Sequence, residues 1–235
     1  MAALVLACGV ATDPAERHPA LAERLAGDPT IEWRPVPSAP TRPDVDPLLA
    51  DLGERRLVVL GADADLTAVV LRLLRTEKLA TVTIGFVPTV ADSAVAAVWQ
   101  LPGGFGGAVD VAFGGEPDRA PLIRDDNGGV LMGVGTLRMV RGVAYCDNER
   151  VLRGPARRIT VTPDPTGAGL AVAVRRGGLL GGRVKAAAGR SFELGCLPTT
   201  SVVRDGVRYE RPVRRWTWYR HTEDLRFIRG LPTGR

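Results

Sequence analysis

Lysine is nearly absent from these 235 residues: Lys78 and Lys185 are the only two, although Lys and Arg together number 31. Arginine therefore carries the net charge of +5. Its planar fork suits bidentate phosphate recognition, although a genome rich in G and C produces the same bias whatever the function. Histidine is limited to His18 and His221. The three cysteines, Cys8, Cys146 and Cys196, are widely spaced with no Cys-x-x-Cys pair. A zinc centre needs about four soft ligands at workable spacing, so that class is excluded. The cysteines read as reduced core residues of a cytoplasmic protein. No apolar run reaches the roughly 18 residues of a membrane-spanning helix. There is no serine-nucleophile elbow, no Gly-x-Gly-x-x-Gly after the first strand and no intact Walker loop. With 45% hydrophobic and 24% charged residues, the composition is that of an ordinary globular protein with a sizeable core.

The first hundred residues alternate apolar runs with helical patterns. Ala3–Cys8 reads as strand one, in preference to a lipoprotein signal ending at Cys8, because no basic leader precedes it. Asp13-Pro14 is a favourable helix start, with an Asp N-cap and Pro at the first helical position. Strands are expected at 30–36, 57–60 and 80–87. Helices are expected near 48–52, over 66–75 and over 91–99, with Pro35, Pro37, Pro40, Pro43 and Pro47 breaking regular structure before the first of these. This alternation predicts a doubly wound parallel sheet. The composition shifts at Leu101-Pro102-Gly103-Gly104. Beyond it only short β-rich runs are expected, among them Val109–Phe113, Gly129–Val134, Leu137–Tyr145 and Trp216–His221. They predict an α/β domain over 1–103 and an antiparallel β-sandwich over 104–235. An exposed edge strand in the second domain predicts a homodimer.

The stretch Leu57-Val58-Val59-Leu60-Gly61-Ala62-Asp63-Ala64 is a buried strand running into a tight turn and then a helix. Such a turn lets backbone amides approach an anion at a helix N-terminus, and its acid could hold a metal or accept a proton. It resembles the Gly-Gly-Asp-Gly signature of diacylglycerol kinases and NAD kinases. Further features follow in the same order. They are Pro88-Thr89-Val90-Ala91-Asp92, a helix ending at Leu101-Pro102, the run Val109-Asp110-Val111 as a strand entering the second domain, and a late Asp205-Gly206. The resemblance implies a two-domain lipid-kinase or NAD-kinase plan with ATP and magnesium as cofactors. It places ATP against Gly61, Ala62, Ala64, Thr89 and Asp92, and it gives Asp63 and Asp205 catalytic or metal-binding roles. Several motif positions differ from the family pattern. Ala62 and Ala64 stand where the family has glycine, and an alanine is strained wherever φ must be positive. The Leu-Gly of the second turn is missing, and Val207 stands where a late Glu is usual.

Residues 204–221 interleave arginine with Trp216 and Trp218, a pattern that binds phosphates and stacks on bases. On a strand the two tryptophans share one face, which equally suits packing. Arg214, Arg215, Arg220 and His221 are the candidate anion ligands, lining a cleft between the domains. Asp125-Asp126 and Asp147 with Glu149 read as turn-solvating acids. Two function classes follow: a pseudokinase-like binding or regulatory protein with weak or no phosphotransfer, favoured by the altered motifs, or an active ATP-dependent lipid kinase. The partners expected are a nucleotide or lipid and peripheral contact with a membrane. Nucleic acid is the weakest reading, and its mark would be steep salt dependence.

Overall fold

The computed structural model describes residues 2–9, 19–167, 169–177 and 182–230. The expected helix start at Asp13-Pro14 lies outside them. The chain forms two compact units, one of Met1–Ala120 with Glu223–Arg235 and the other of Pro121–Thr222.

The first unit is built on a six-stranded sheet. Strands β1 (Ala3–Cys8), β2 (Ile31–Val36), β3 (Arg56–Gly61) and β4 (Thr83–Pro88) run parallel in the order β2-β1-β3-β4. β1 and β3 are buried along their whole length, as a sheet covered on both faces requires. The helices are α1 (Pro19–Gly27), α2 (Arg42–Ala50), α3 (Asp63–Arg75), α4 (Ala94–Val98) and α5 (Phe105–Gly114). In α3, Leu66, Val69, Val70 and Leu73 form the buried stripe expected from their spacing. A bidentate pair between Arg72 and Asp46, with both contacts at 2.7 Å, joins α3 to α2.

Two expected elements differ. The helix expected near 48–52 is α2, and it starts at Arg42 despite Pro43. Residues of a first helical turn have no intrahelical acceptor for their N–H, so proline is tolerated there. Residues 105–114, with Val109-Asp110-Val111, were expected to include a strand and instead form α5. Val109, Ala112 and Phe113 are buried while Asp110 points outward to Arg24 at 3.4 Å. Arg56, at the start of β3, donates to the carbonyls of Ala112, Phe113 and Gly115 and so caps the end of this helix. Packing and this cap outweigh the helix-breaking glycines. The unit therefore continues past 103 to 120.

The C-terminal strand β16 (Leu225–Ile228) also belongs to this sheet. It lies parallel to β4 and antiparallel to β5 (Pro117–Ala120).

The second unit is a large, curled antiparallel sheet. Its elements are β6 (Ile123–Asp125), β7 (Val130–Leu131), β8 (Gly135–Cys146), β9 (Glu149–Pro163), β10 (Leu170–Arg175), β11 (Val184–Gly189), β12 (Ser191–Thr200), β13 (Val202–Arg204), β14 (Val207–Arg208) and β15 (Val213–Arg220). The main order is β11-β10-β9-β8-β12-β15-β6-β7, with β13 pairing β8 and β14. Alternate residues face one core that includes Leu137, Ile159, Val172, Phe192, Trp216 and Trp218. The two tryptophans share a face as expected, with ring centroids 5.6 Å apart. Both are fully buried in this core, which removes them as platforms for stacking bases.

Candidate functional site

The strand order of the first unit reverses at β1, which has β2 on one side and β3 on the other. In open α/β sheets, ligands collect beyond the strand carboxyl ends at such a reversal. Four connections meet this edge: Gly9 after β1, Ser38-Ala39 after β2, Gly61–Asp65 after β3 and Thr89–Ser93 after β4. The Thr89 amide donates to the Gly61 carbonyl at 2.9 Å, so the last two are adjacent.

Gly61 is needed for space. A Cβ there would lie 2.6 Å from Oδ2 of Asp65. Ala62 has φ −82° and ψ 170°, an extended conformation open to any residue, and Ala64 is the second residue of α3. Neither position has positive φ, so the alanines do not strain this turn.

The two acids of the turn are both engaged. Asp65 is only 5% exposed. Its Oδ2 accepts the Ala62 amide at 2.8 Å, and its Oδ1 accepts the Ala39 amide at 2.6 Å. Ala62 has no side-chain oxygen to return the contact, so only half of a capping box forms. The first amides of a helix normally attract an anion. Here the Asp65 carboxylate supplies that anion from within the chain. Asp63 accepts the Ser93 hydroxyl at 2.5 Å and the Ala94 and Val95 amides at 2.7 and 3.3 Å, which ties the start of α3 to the start of α4. Thr89 and Asp92 are exposed beside it.

The sulfur chemistry here is inert. Burial, with a smaller contribution from the Asp65 charge, pushes the Cys8 thiol up to about 12. Burial also pushes Cys146 up to about 11 and raises Cys196. None of the three offers a thiolate nucleophile near neutral pH.

The donor set does not match the expected cofactors. Asp63 and Asp65 already accept amide and hydroxyl hydrogens. Among the described residues no three carboxylate, histidine or cysteine side chains converge as a metal site would require. The Ala62 amide, at the position expected to meet ATP, is taken by Asp65.

The other predicted residues lie in the second unit. Asp205 and Gly206 are the two-residue loop of the β13–β14 hairpin, with φ 44° and 84°. Positive φ at both positions is the Asp-Gly turn chemistry of tight hairpins. Asp205 is 3% exposed, and its carboxylate accepts the amides of Met132, Gly133 and Val134, each at 2.8 Å. As placed, it is an anchor for the segment before β8. Val207 is exposed. Arg214 and Arg215 line a groove together with Arg141. Arg220 and His221 lie at the other end of β15, where the His221 amide donates to the Leu122 carbonyl at 2.7 Å. Five residues of strand separate Arg215 from Arg220, roughly 17 Å. The four candidate anion ligands therefore do not form one site.

Sequence reasoning missed Asp65, Ser93 and Arg141. Asp65 had a readable signal, since an acid three residues after a helix N-cap commonly reaches back to the cap amide. Ser93 precedes a small-residue helix and matches an N-cap; its hydroxyl accepts the Ala96 amide at 2.9 Å. Nothing local marked Arg141.

No protein-family model matches the chain, and no curated protein matches it. Solved structures do. The chain is similar to a diacylglycerol kinase from Bacillus anthracis str. Sterne, with a TM-score of 0.67 and 11% identity over 97% of both chains. It is also similar to an NAD kinase from Archaeoglobus fulgidus solved in complex with ATP, with a TM-score of 0.58 and 13% identity over 96% of this chain and 93% of that one. At such low identity these likenesses establish the architecture: the chain has the two-domain fold that diacylglycerol kinases and NAD kinases share. No helix among the described residues is long and apolar enough to cross a membrane.

Proposed function

We propose that this protein is a divergent member of the diacylglycerol kinase-like group that binds a nucleotide or lipid in a regulatory role, with weak or no phosphotransfer. One observation carries the reading: the Asp65 carboxylate accepts the Ala62 amide at the mouth of the turn where a phosphate would be cradled. An ATP phosphate approaching that amide meets a fixed negative charge and must displace a hydrogen bond. Asp63 contributes to the same conclusion. A carboxylate that already accepts one hydroxyl and two amides is poorly placed to take a proton from an attacking alcohol.

The alternative is an active lipid kinase, and it has its own support. The alanines leave the turn unstrained, and Asp63 is only partly buried. Calorimetric titration with ATP, with and without magnesium, together with a phosphotransfer assay on diacylglycerol and NAD, separates the two. The proposal expects weak or no turnover on either acceptor, and any ATP binding to be independent of magnesium. Saturable binding with transfer to either acceptor, both lost in Asp63→Ala, would establish the kinase instead.

A further inference from the structure

The charge of this chain is divided between its units. Residues 121–222 hold 18 Lys and Arg against eight Asp and Glu, a net +10. The rest of the chain holds 13 against 18, a net −5. Within the basic unit, Arg141 on β8 and Arg214 and Arg215 on β15 line an open groove of about 530 Å³. Its floor is bare backbone. Gly142 pairs with Gly154 on β9, and Gly195 on β12 pairs with both Val143 and Arg215. A Cβ at Gly154 or Gly195 would meet open space, whereas one at Gly142 would run into the Gly195 carbonyl, so backbone lies exposed where these strands meet the groove. Val143 and Leu197, 39% and 68% exposed, form an apolar rim.

Among the described residues the three guanidiniums have no hydrogen-bond, ion-pair or ring partner. Elsewhere the chain pairs its arginines freely, as with Arg55 and Glu32, Arg72 and Asp46, or Arg204 and Asp125. Glu193, two residues before Gly195, forms no ion pair with them. Three like charges around one groove attract an anion, and one with several acceptor oxygens can engage all three at once. Phosphate is the anion whose geometry an arginine fork matches twice over. A rim of Val143 and Leu197 suits an apolar body attached to it.

We propose that this groove binds a phosphomonoester, with Arg141, Arg214 and Arg215 holding its oxygens. The site is separate from the turn after β3 and stands whether or not ATP binds there.

The test uses the full chain. Inorganic phosphate is titrated in one arm, and phosphatidylcholine vesicles with and without phosphatidic acid are titrated in the other. Binding is followed by calorimetry and by the amide resonances of Gly142, Gly154 and Gly195. The expected result is saturable binding that moves these glycine resonances and weakens about tenfold in Arg214→Ala/Arg215→Ala. Arg141→Ala weakens it too, and Arg215→Lys restores part of what Arg215→Ala loses. Binding of free phosphate assigns a soluble phosphomonoester; binding of phosphatidic acid vesicles alone assigns a lipid headgroup. Arg183→Ala, which removes the same charge at a distance, leaves affinity unchanged. Unmoved glycine resonances in both arms would overturn the proposal, as would an Arg183→Ala loss equal to that of the groove variants.

Discussion

The turn after β3 and the groove on the basic unit are both places suited to phosphate, and they treat charge in opposite ways. In the turn every carboxylate is engaged by the chain itself: Asp65 by the Ala62 and Ala39 amides, Asp63 by Ser93 and two amides of α4. In the groove three arginines have no partner among the described residues. A buried polar group without a partner costs stability, so a fold completes such contacts internally. An exposed charge costs little when left open, and can be kept for a ligand. As placed, Asp63, Asp65 and Asp205 serve the fold through these contacts, while the arginines of the groove are left open to another molecule.

The sharpest break should come at the buried anchor. Asp205→Ala leaves three amides without their acceptor and is expected to cost about 3–5 kcal/mol in denaturant unfolding. Recovery of full stability in that variant would show that Asp205 is not an anchor.

Cys8 reports on the turn through pH. Its thiol ionises near 9.0 in the unfolded chain and at about 12 in the folded one. Between those values the unfolded state has released a proton that the native state keeps, so stability falls as pH rises. The contribution is complete below pH 9 and declines above it, by on the order of 3–4 kcal/mol across the full interval. In Cys8→Ala this alkaline decline is reduced relative to the wild type, as measured by unfolding at a series of pH values.

Asp65→Asn should cost about 1–3 kcal/mol, because an amide can accept from only one of the two backbone N–H groups. The same variant should bind inorganic phosphate at the turn more tightly than the wild type, since the internal anion is gone. Unchanged phosphate binding there would weaken the case that Asp65 occupies the site.

Restoring the family glycines gives a smaller effect. Ala62→Gly/Ala64→Gly should lose about 0.5–1 kcal/mol, mostly from the helical position, and should not restore ATP binding. Recovered ATP affinity would shift the blame from Asp65 to the alanines. The smallest change belongs to the groove, where Arg214→Ala/Arg215→Ala should stay within about 0.5 kcal/mol of the wild type in stability.

The amino-acid sequence by itself determined the class of fold. Period-two and period-3.6 apolar patterns are local, and they record which face of each segment is buried; this is why β1, β3, β4, α3, β8 and β15 were legible. The Gly-acid turn after a buried strand was legible for the same reason. Tertiary structure decided the rest. It made residues 105–114 a helix, because Arg56, 56 positions before Ala112, caps its end. It placed β16 between β4 and β5, although its residues read like any other short strand. It also settled which charges are satisfied. Asp65 meets Ala39 across 26 positions, Asp63 meets Ala94 across 31, and Asp205 meets Met132 across 73. A carboxylate's residue type states that it can accept hydrogen bonds. Which donors reach it is set only when distant segments pack, and that separates an anchoring acid from a catalytic one and a paired arginine from one left open to a ligand.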